Sequence, residues 1–351
     1  MKAPPLNRSI GGFLPLDLSP ARGPGVWPAW GREAAHIAGY HNARSGLYHL
    51  LNQRAQHLWV PSYICNDVTA AAIKAQVNVS YYPVDSQLTP DLDFLDDHIR
   101  PGDHVMVVCY FGRPLDQGVY SLVVRHAEVV WIEDRSQALW IGDTPCLNYT
   151  LYSPRKVIGV PDGGVVVSHG SSLPPPLPHE THTSLTFMVP SLWRAEDPDG
   201  IHGSECYQLY KTKESDQRPG SLPMSRLTQA RLMTIDLQPF ISARQRNYQH
   251  LETGLGAYAF YPQNSAPVNF APFGFPVRLK CLDPVLSGLH RAKIFAARYW
   301  EHLPSSPKDC ANAHTLSQQL LMLPCDQRYT QADMDYIIEV TQTLITQYNH
   351  D

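Results

Sequence analysis

Two residues near the middle of the chain have the types and the spacing to work together. Asp134 stands in Ile132-Glu133-Asp134-Arg135-Ser136-Gln137-Ala138, at the end of an apolar run. Lys156 follows in Leu151-Tyr152-Ser153-Pro154-Arg155-Lys156, ahead of Asp162-Gly163-Gly164. A carboxylate at the carboxyl end of a buried strand sits where open parallel sheets bind their ligands. A lysine on the loop after the next strand can face it across the same crevice. A lysine amine for a Schiff base, with a carboxylate that keeps a pyridine nitrogen protonated, is the pairing that pyridoxal 5'-phosphate (PLP) chemistry requires. On residue type alone, a solvated loop lysine and a turn-capping aspartate remain open. Lys2 and Lys74 are the only other lysines in the first 150 residues, and neither sits in a Gly-rich turn.

Positioning such a pair needs a parallel sheet, and the sequence patterning supplies one. Short β-branched runs alternate with helical stretches from about residue 57, the signature of βαβ units. The expected strands are His57–Val60, Val77–Val84, His104–Phe111, Val129–Glu133, Tyr149–Tyr152 and Gly164–Ser168, with helices over Asp67–Gln76, Leu92–Ile99 and Gln117–His126. Proline removes a donor and clashes inside a helix, so Ser171–Pro178 is expected to be a loop. An amphipathic helix is expected over about 225–255, bent at Pro239, as a connector. Beyond it, strands at Phe275–Leu279 and Gln319–Leu323 with helices at Val285–Glu301 and Gln331–Tyr348 make a small α+β unit. The expected domains are 1–235, a large α/β domain with residues 1–30 as an extended arm, and 236–351, a small C-terminal domain.

Composition narrows the function classes. Of 351 residues, 43% are hydrophobic and 17% charged, against roughly 25% charged in a typical globular protein, which means a large core. A net charge of -4 gives no electrostatic footprint for a polyanion, so small molecules are expected as ligands and nucleic acid is not. No apolar run reaches the ~18 residues that span a bilayer, and the N-terminus lacks a signal-peptide core, so the expected location is cytoplasmic. The seven cysteines have no C-x-x-C pair and read as mostly buried thiols. His179-Glu180-Thr181-His182 has the wrong spacing for a helical zinc pair, and no metal is expected.

Asp134-x-x-Gln137-Ala138 and Lys156 followed by Asp162-Gly163-Gly164 resemble the marker motifs of the DegT/DnrJ/EryC1/StrS sugar aminotransferases, which have the fold-type I PLP-dependent transferase fold. Further segments fall in that family's order: Asn42-Ala43-Arg44-Ser45-Gly46-Leu47, Val60-Pro61-Ser62-Tyr63, Tyr110-Phe111-Gly112-Arg113-Pro114 and Met224-Ser225-Arg226-Leu227-Thr228-Gln229-Ala230. The resemblance runs from about residue 40 to the C-terminus and suggests a divergent branch associated with polysaccharide biosynthesis.

It implies an α/β fold with a mainly parallel sheet and PLP as cofactor. Lys156 and Asp134 are the implied catalytic residues. Gln137 is implied near the cofactor's 3' oxygen, Ser45, Gly46 and Ser153 near its phosphate, and Tyr110 near its face. For these the plain alternatives are a surface Gln, a Ser helix cap and a core Tyr. The implied reaction moves an amino group from an amino acid, glutamate by expectation, to a keto-sugar joined to a nucleotide. The implied assembly is a homodimer with shared active sites. Three departures fall on the substrate side. Leu151 stands where many members have Ser, Ile64 and Cys65 stand where an aromatic residue stacks on the ring, and Leu222 and Pro223 replace an Asn and an Arg. They support an alternative, a PLP-fold protein that binds or regulates without turnover.

Overall fold

The computed structural model describes residues 8–17, 23–31, 34–53, 55–139, 147–170, 173, 182–215, 219–220, 222–267 and 270–348. The β-branched runs become the strands of a seven-stranded sheet: β1 (His36–Tyr40), β2 (His57–Pro61), β3 (Asn78–Tyr82), β4 (His104–Val108), β5 (Val130–Arg135), β6 (Tyr149–Tyr152) and β7 (Gly164–Ser168). Their spatial order is β1-β7-β6-β5-β4-β2-β3. The strands from β6 to β3 are parallel, and β7 runs antiparallel to both its neighbours. Every residue of β7 is buried, as expected of an inner strand covered on both faces and read as a continuous apolar run. In β5 the two-residue period sends Trp131, Glu133 and Arg135 to one face and Ile132 and Asp134 to the other.

Polar caps start the covering helices where the sequence offers an Asx or Ser side chain. Asn42 opens α1 (Ala43–Leu51), Asp91 opens α3 (Leu92–His98) and Asp116 opens α4 (Gln117–Arg125). The helix α2 (Asn66–Lys74) packs beside α1. After the sheet come α5 (His182–Glu196) and α6 (Gly203–Ser215). The expected proline loop at 171–178 lies outside the described residues except for Leu173, as do His179 to Thr181.

Three expectations are corrected. The strand expected to run to Phe111 stops at Val108, because Tyr110–Gly112 forms a tight turn with Phe111 at φ 55° and Gly112 at φ 92°. The single helix expected over 225–255 is two, α7 (Arg226–Thr234) and α8 (Gln238–Leu255). Pro239 lies in the first turn of α8, where its missing N–H costs nothing, so it starts a helix instead of bending one. The helix expected to reach Glu301 is α9 (Leu282–Arg291), which ends before Lys293 at φ 61°.

The remaining elements include a short helix at Trp27–Gly31, within the arm expected to be extended, and then β8 (Phe275–Arg278), β9 (Ala297–Arg298), α10 (Ala311–Gln319), β10 (Leu320–Leu323) and α11 (Gln331–Tyr348). The three strands form an antiparallel sheet with β10 in the centre. A separate apolar core joins α8, α9 and α11 to this sheet, and Ile10 from the N-terminal segment belongs to it. Residues 10–11 pair with Ile294 and Phe295. Arg328 secures the same segment, donating to the Phe13 and Gly12 carbonyls while its guanidinium grips both oxygens of Asp326 at 2.8 Å.

Burial works against the ionised form of Asp326, but the Arg328 charge and hydrogen bonds outweigh it and hold the carboxyl below the usual aspartate value. A carboxyl depressed in the folded state stabilises fully above its unfolded value of about 3.9, and that stabilisation disappears as pH falls through the folded value. Equilibrium denaturation should therefore show stability falling below about pH 4. Asp326→Asn should cost about 3 kcal/mol at neutral pH and flatten part of that acid decline.

Candidate active site

The carboxyl ends of β4, β5 and β6 open into a cleft. Val108, Asp134, Leu151 and Ser153 line it from the sheet, with Arg155 and Lys156 on the loop that follows. The start of α1 contributes Asn42, Ala43 and Arg44. The far wall is made by Ile64, Cys65, Asp67 and Val68 at the start of α2, and by Trp300 from the C-terminal part.

Four of the residues singled out in the sequence meet here. Asp134 is 8% exposed, and one carboxylate oxygen accepts the Ser136 N–H at 2.8 Å. That bond fixes the carboxylate's orientation at the strand end. Gln137, itself buried, accepts the Phe111 N–H at 2.9 Å through its amide oxygen. The tight turn at Phe111 thus sets which end of the amide is spent, leaving the NH₂ as a donor on the cleft side. Ser153 is buried at the start of a short turn, Pro154–Lys156, that ends on the lysine. The Lys156 amine makes no hydrogen bond or ion pair with a described residue.

Three others lie elsewhere. Ser45 and Gly46 do not open the helix. Asn42 caps it, accepting the Ser45 N–H at 2.8 Å, and Gly46 N–H is spent on the Asn42 carbonyl. Gly46 packs on the sheet, and the Ser45 side chain turns to the segment before α7. The Ser45 hydroxyl meets the Gly220 N–H, and a Cβ on Gly46 would press 2.9 Å from Val166. Tyr110 is a core residue, with its hydroxyl bonded to the Tyr63 carbonyl at 2.5 Å and burial pushing its pKa well up. None of the three is on the cleft wall.

The sequence reading missed Arg44, Arg155 and Trp300. The first two lie inside the motifs already quoted, each one residue from a position singled out, so only their side-chain direction was wanting. Trp300 comes from a strand end far along the chain, and no local signal marks it. Cys65 adds an uncharged wall at neutral pH. Burial pushes its thiol up to about 11, against the opposing pull of Lys156.

The glycines after the lysine hold the cleft together. Gly163, at φ 127°, donates to the His41 carbonyl at 2.6 Å. A Cβ on Gly164 would lie 2.1 Å from the Asn42 carbonyl carbon and 2.2 Å from the Ala43 nitrogen. Beside them, buried Asp162 accepts the Ser225 N–H and hydroxyl at 2.7 Å each and the Thr228 hydroxyl. This joins the lysine loop to the start of α7, while the close backbone contact joins it to the start of α1. The two glycines thus approach the backbone at the start of α1 and position its first residues. Among the described residues, no cluster of three or more His, Cys, Asp or Glu could hold a metal ion.

No protein-family model matches the chain, and no curated protein matches it. Solved structures do. Spr1654 of Streptococcus pneumoniae, in a PLP form, is 12% identical over 96% of this chain and 99% of its own, with a TM-score of 0.70. PseC of Helicobacter pylori, an aminotransferase involved in pseudoaminic acid biosynthesis, is 12% identical over 97% and 100%, with a TM-score of 0.67. A DegT DnrJ EryC1 StrS aminotransferase of Brucella abortus is 16% identical over 93% and 92%, with a TM-score of 0.63. The fold is that of the fold-type I PLP-dependent transferases.

Gly164→Ala should shift the Asn42–Ala43 backbone and cost about 3 kcal/mol or more, as a severe overpacking does. Urea denaturation checks this, and a loss under about 1 kcal/mol would mean the close contact is readily relaxed.

Proposed function

We propose that the chain is a PLP-dependent aminotransferase that moves an amino group from an amino acid, glutamate in the first instance, to a keto-sugar, one joined to a nucleotide, in polysaccharide or related biosynthesis. The observation that carries this is the convergence of Lys156, Asp134, Gln137 and Ser153 with the start of α1 in one cleft. The donor set fits the cofactor. A lysine amine with no partner among the described residues is available to its aldehyde, a buried carboxylate to its ring nitrogen, and the Gln137 NH₂ to its ring oxygen. Ser153, Arg44 and the positive end of α1 suit its phosphate, since a helix N-terminus favours an anion. PLP, when bound, supplies an electron sink for charge developing at the carbon that carries the amine.

The chain's own residues supply the rest. Lys156 Nζ is the group placed to take and return the proton at the substrate carbon that bears nitrogen. The Asp134 carboxylate holds the proton on the ring nitrogen, its orientation kept by Ser136. The apolar wall of Ile64, Val68 and Trp300 limits water beside that proton transfer. The resemblance supports a homodimer with shared sites and a cytoplasmic location. No helix among the described residues is long and apolar enough to cross a membrane.

Purified protein given PLP should develop a visible absorbance band, and borohydride should fix a pyridoxyl group on Lys156, located by peptide mass mapping. Lys156→Ala should abolish the adduct and slow the half-reaction with glutamate by at least about a hundredfold. Asp134→Asn should keep the adduct and slow the same half-reaction. A band unmoved by a panel of amino donors would instead favour a binding or regulatory protein, and no adduct at all would overturn both readings.

A further inference from the structure

The loop after the lysine is held from the C-terminal core. The Val157 carbonyl, on the residue directly after Lys156, accepts the Gln327 Nε2–H at 2.9 Å. Two residues on, the Gly159 carbonyl accepts the Asp17 N–H at 2.7 Å, from the N-terminal segment that Arg328 secures to the same core. Lys156 ends a turn of only three residues, Pro154–Lys156. The direction in which its side chain leaves the backbone therefore depends on what holds Val157.

Gln327 is fixed in turn. Its amide oxygen accepts the Arg244 Nε–H at 2.8 Å, which settles the orientation of the amide and leaves its NH₂ for Val157. Arg244 lies within α8 and is 2% exposed. Its Nη1 donates to the Pro272 and Phe273 carbonyls at 3.0 and 3.1 Å. These partners are neutral, while the Asp326 charge acts from nearby; burial works against the guanidinium charge and pulls its pKa down. An apolar side chain often fills such a buried position at no loss of stability. What the arginine adds is direction, through donors that point at three fixed acceptors.

From Phe273 the contacts continue to the other side of the cleft. The Phe273 N–H donates to the Phe111 carbonyl at 3.0 Å, and the Phe111 N–H donates to Gln137. A Cβ on Gly112 would lie 2.4 Å from the Ala271 carbonyl oxygen, so the turn and the 271–273 segment meet backbone to backbone. Arg244 thus stands between the turn that orients Gln137 and the amide that holds the lysine loop.

We infer that Gln327 is a positioning residue for the Lys156 amine, anchored by Arg244, which sets the lysine loop and the Gln137 turn in one frame. This rests on the aminotransferase reading and deepens it. The cleft residues come from the large sheet, but the C-terminal core aims the one that moves the proton.

The test compares Gln327→Glu with Gln327→Met. Beside the Arg244 charge the new carboxylate stays ionised, so it keeps the bond from Arg244 and offers the Val157 carbonyl no donor. Methionine, of similar length, loses both bonds. In the protein without PLP, hydrogen exchange at the Lys156–Gly159 amides should be faster in both variants. In the PLP-loaded protein, the half-reaction at saturating glutamate should slow about tenfold or more in both, since a misplacement of about 1 Å can cost about a hundredfold. The half-saturating glutamate concentration should stay within about threefold. The thermal midpoint should fall in Gln327→Met and hold in Gln327→Glu, which carries the test alone should Gln327→Met fail to fold.

A merely structural role predicts otherwise. Gln327→Glu, with the anchor kept, would then match the parent in exchange and in rate, and Gln327→Met would lower the thermal midpoint alone. That result overturns the inference while the functional reading stands. A raised half-saturating concentration with an unchanged saturated rate overturns it equally, because it reports substrate contact and not lysine placement. A parent protein that forms no band with PLP overturns the functional reading and this inference with it.

Discussion

The cleft depends on one backbone contact, the approach of Gly164 to the Asn42–Ala43 peptide. A side chain at Gly164 would occupy the space of that peptide, so the antiparallel strand β7 can begin beside the start of α1 only with glycine there. The contact brings the first turn of α1 to the same rim as the lysine loop. Asp162 extends the constraint by gathering three donors from α7, and a buried carboxylate with its hydrogen bonds met is costly to disturb. The loop carrying Lys156 is thus held at its C-terminal end by two adjoining contacts, one to the start of α1 and one to the start of α7.

Strand β5 divides the labour between its two faces. Toward the cleft it presents Asp134, anchored by the Ser136 N–H and without another hydrogen-bond partner among the described residues. Behind it, fully buried Glu133 pairs with Arg135 at 2.9 Å and accepts the Cys109 thiol at 3.3 Å. Those charges neutralise each other, as buried charges must, and they leave the Asp134 charge to whatever occupies the cleft. The same arrangement recurs on the rim. Arg44 and Arg155 are each held by a carboxylate on a neighbouring helix, while Lys156 has none among the described residues. Of the three cations that line the cleft, Lys156 is the one without a partner among the described residues.

Much of the architecture was legible from short-range pattern. Short β-branched runs and the helical stretches between them marked most strands and helices to within a few residues, because those signals act through neighbouring residues. The failures had the same local origin. Nothing in an apolar run announces that Phe111 turns into the left-handed region. Pro239 reads equally as a bend or a start until the break before it is known.

The sequence by itself determined which chemical groups are available and in what order they come along a parallel sheet: a strand-end aspartate, a glutamine three residues on, and a lysine on the next loop. Period-two alternation within β5 and the order of strands were enough to put those at one end of the sheet. Only the tertiary structure decided that Asn42, not Ser45, starts α1. That choice sets Gly46 on the sheet and the Ser45 hydroxyl on Gly220, and leaves Ala43 and Arg44 at the cleft. It also decided that Tyr110 packs inside and that Trp300 closes the wall. These depend on contacts between residues tens to hundreds of positions apart, where side-chain direction follows from packing and no pattern in the local sequence encodes it.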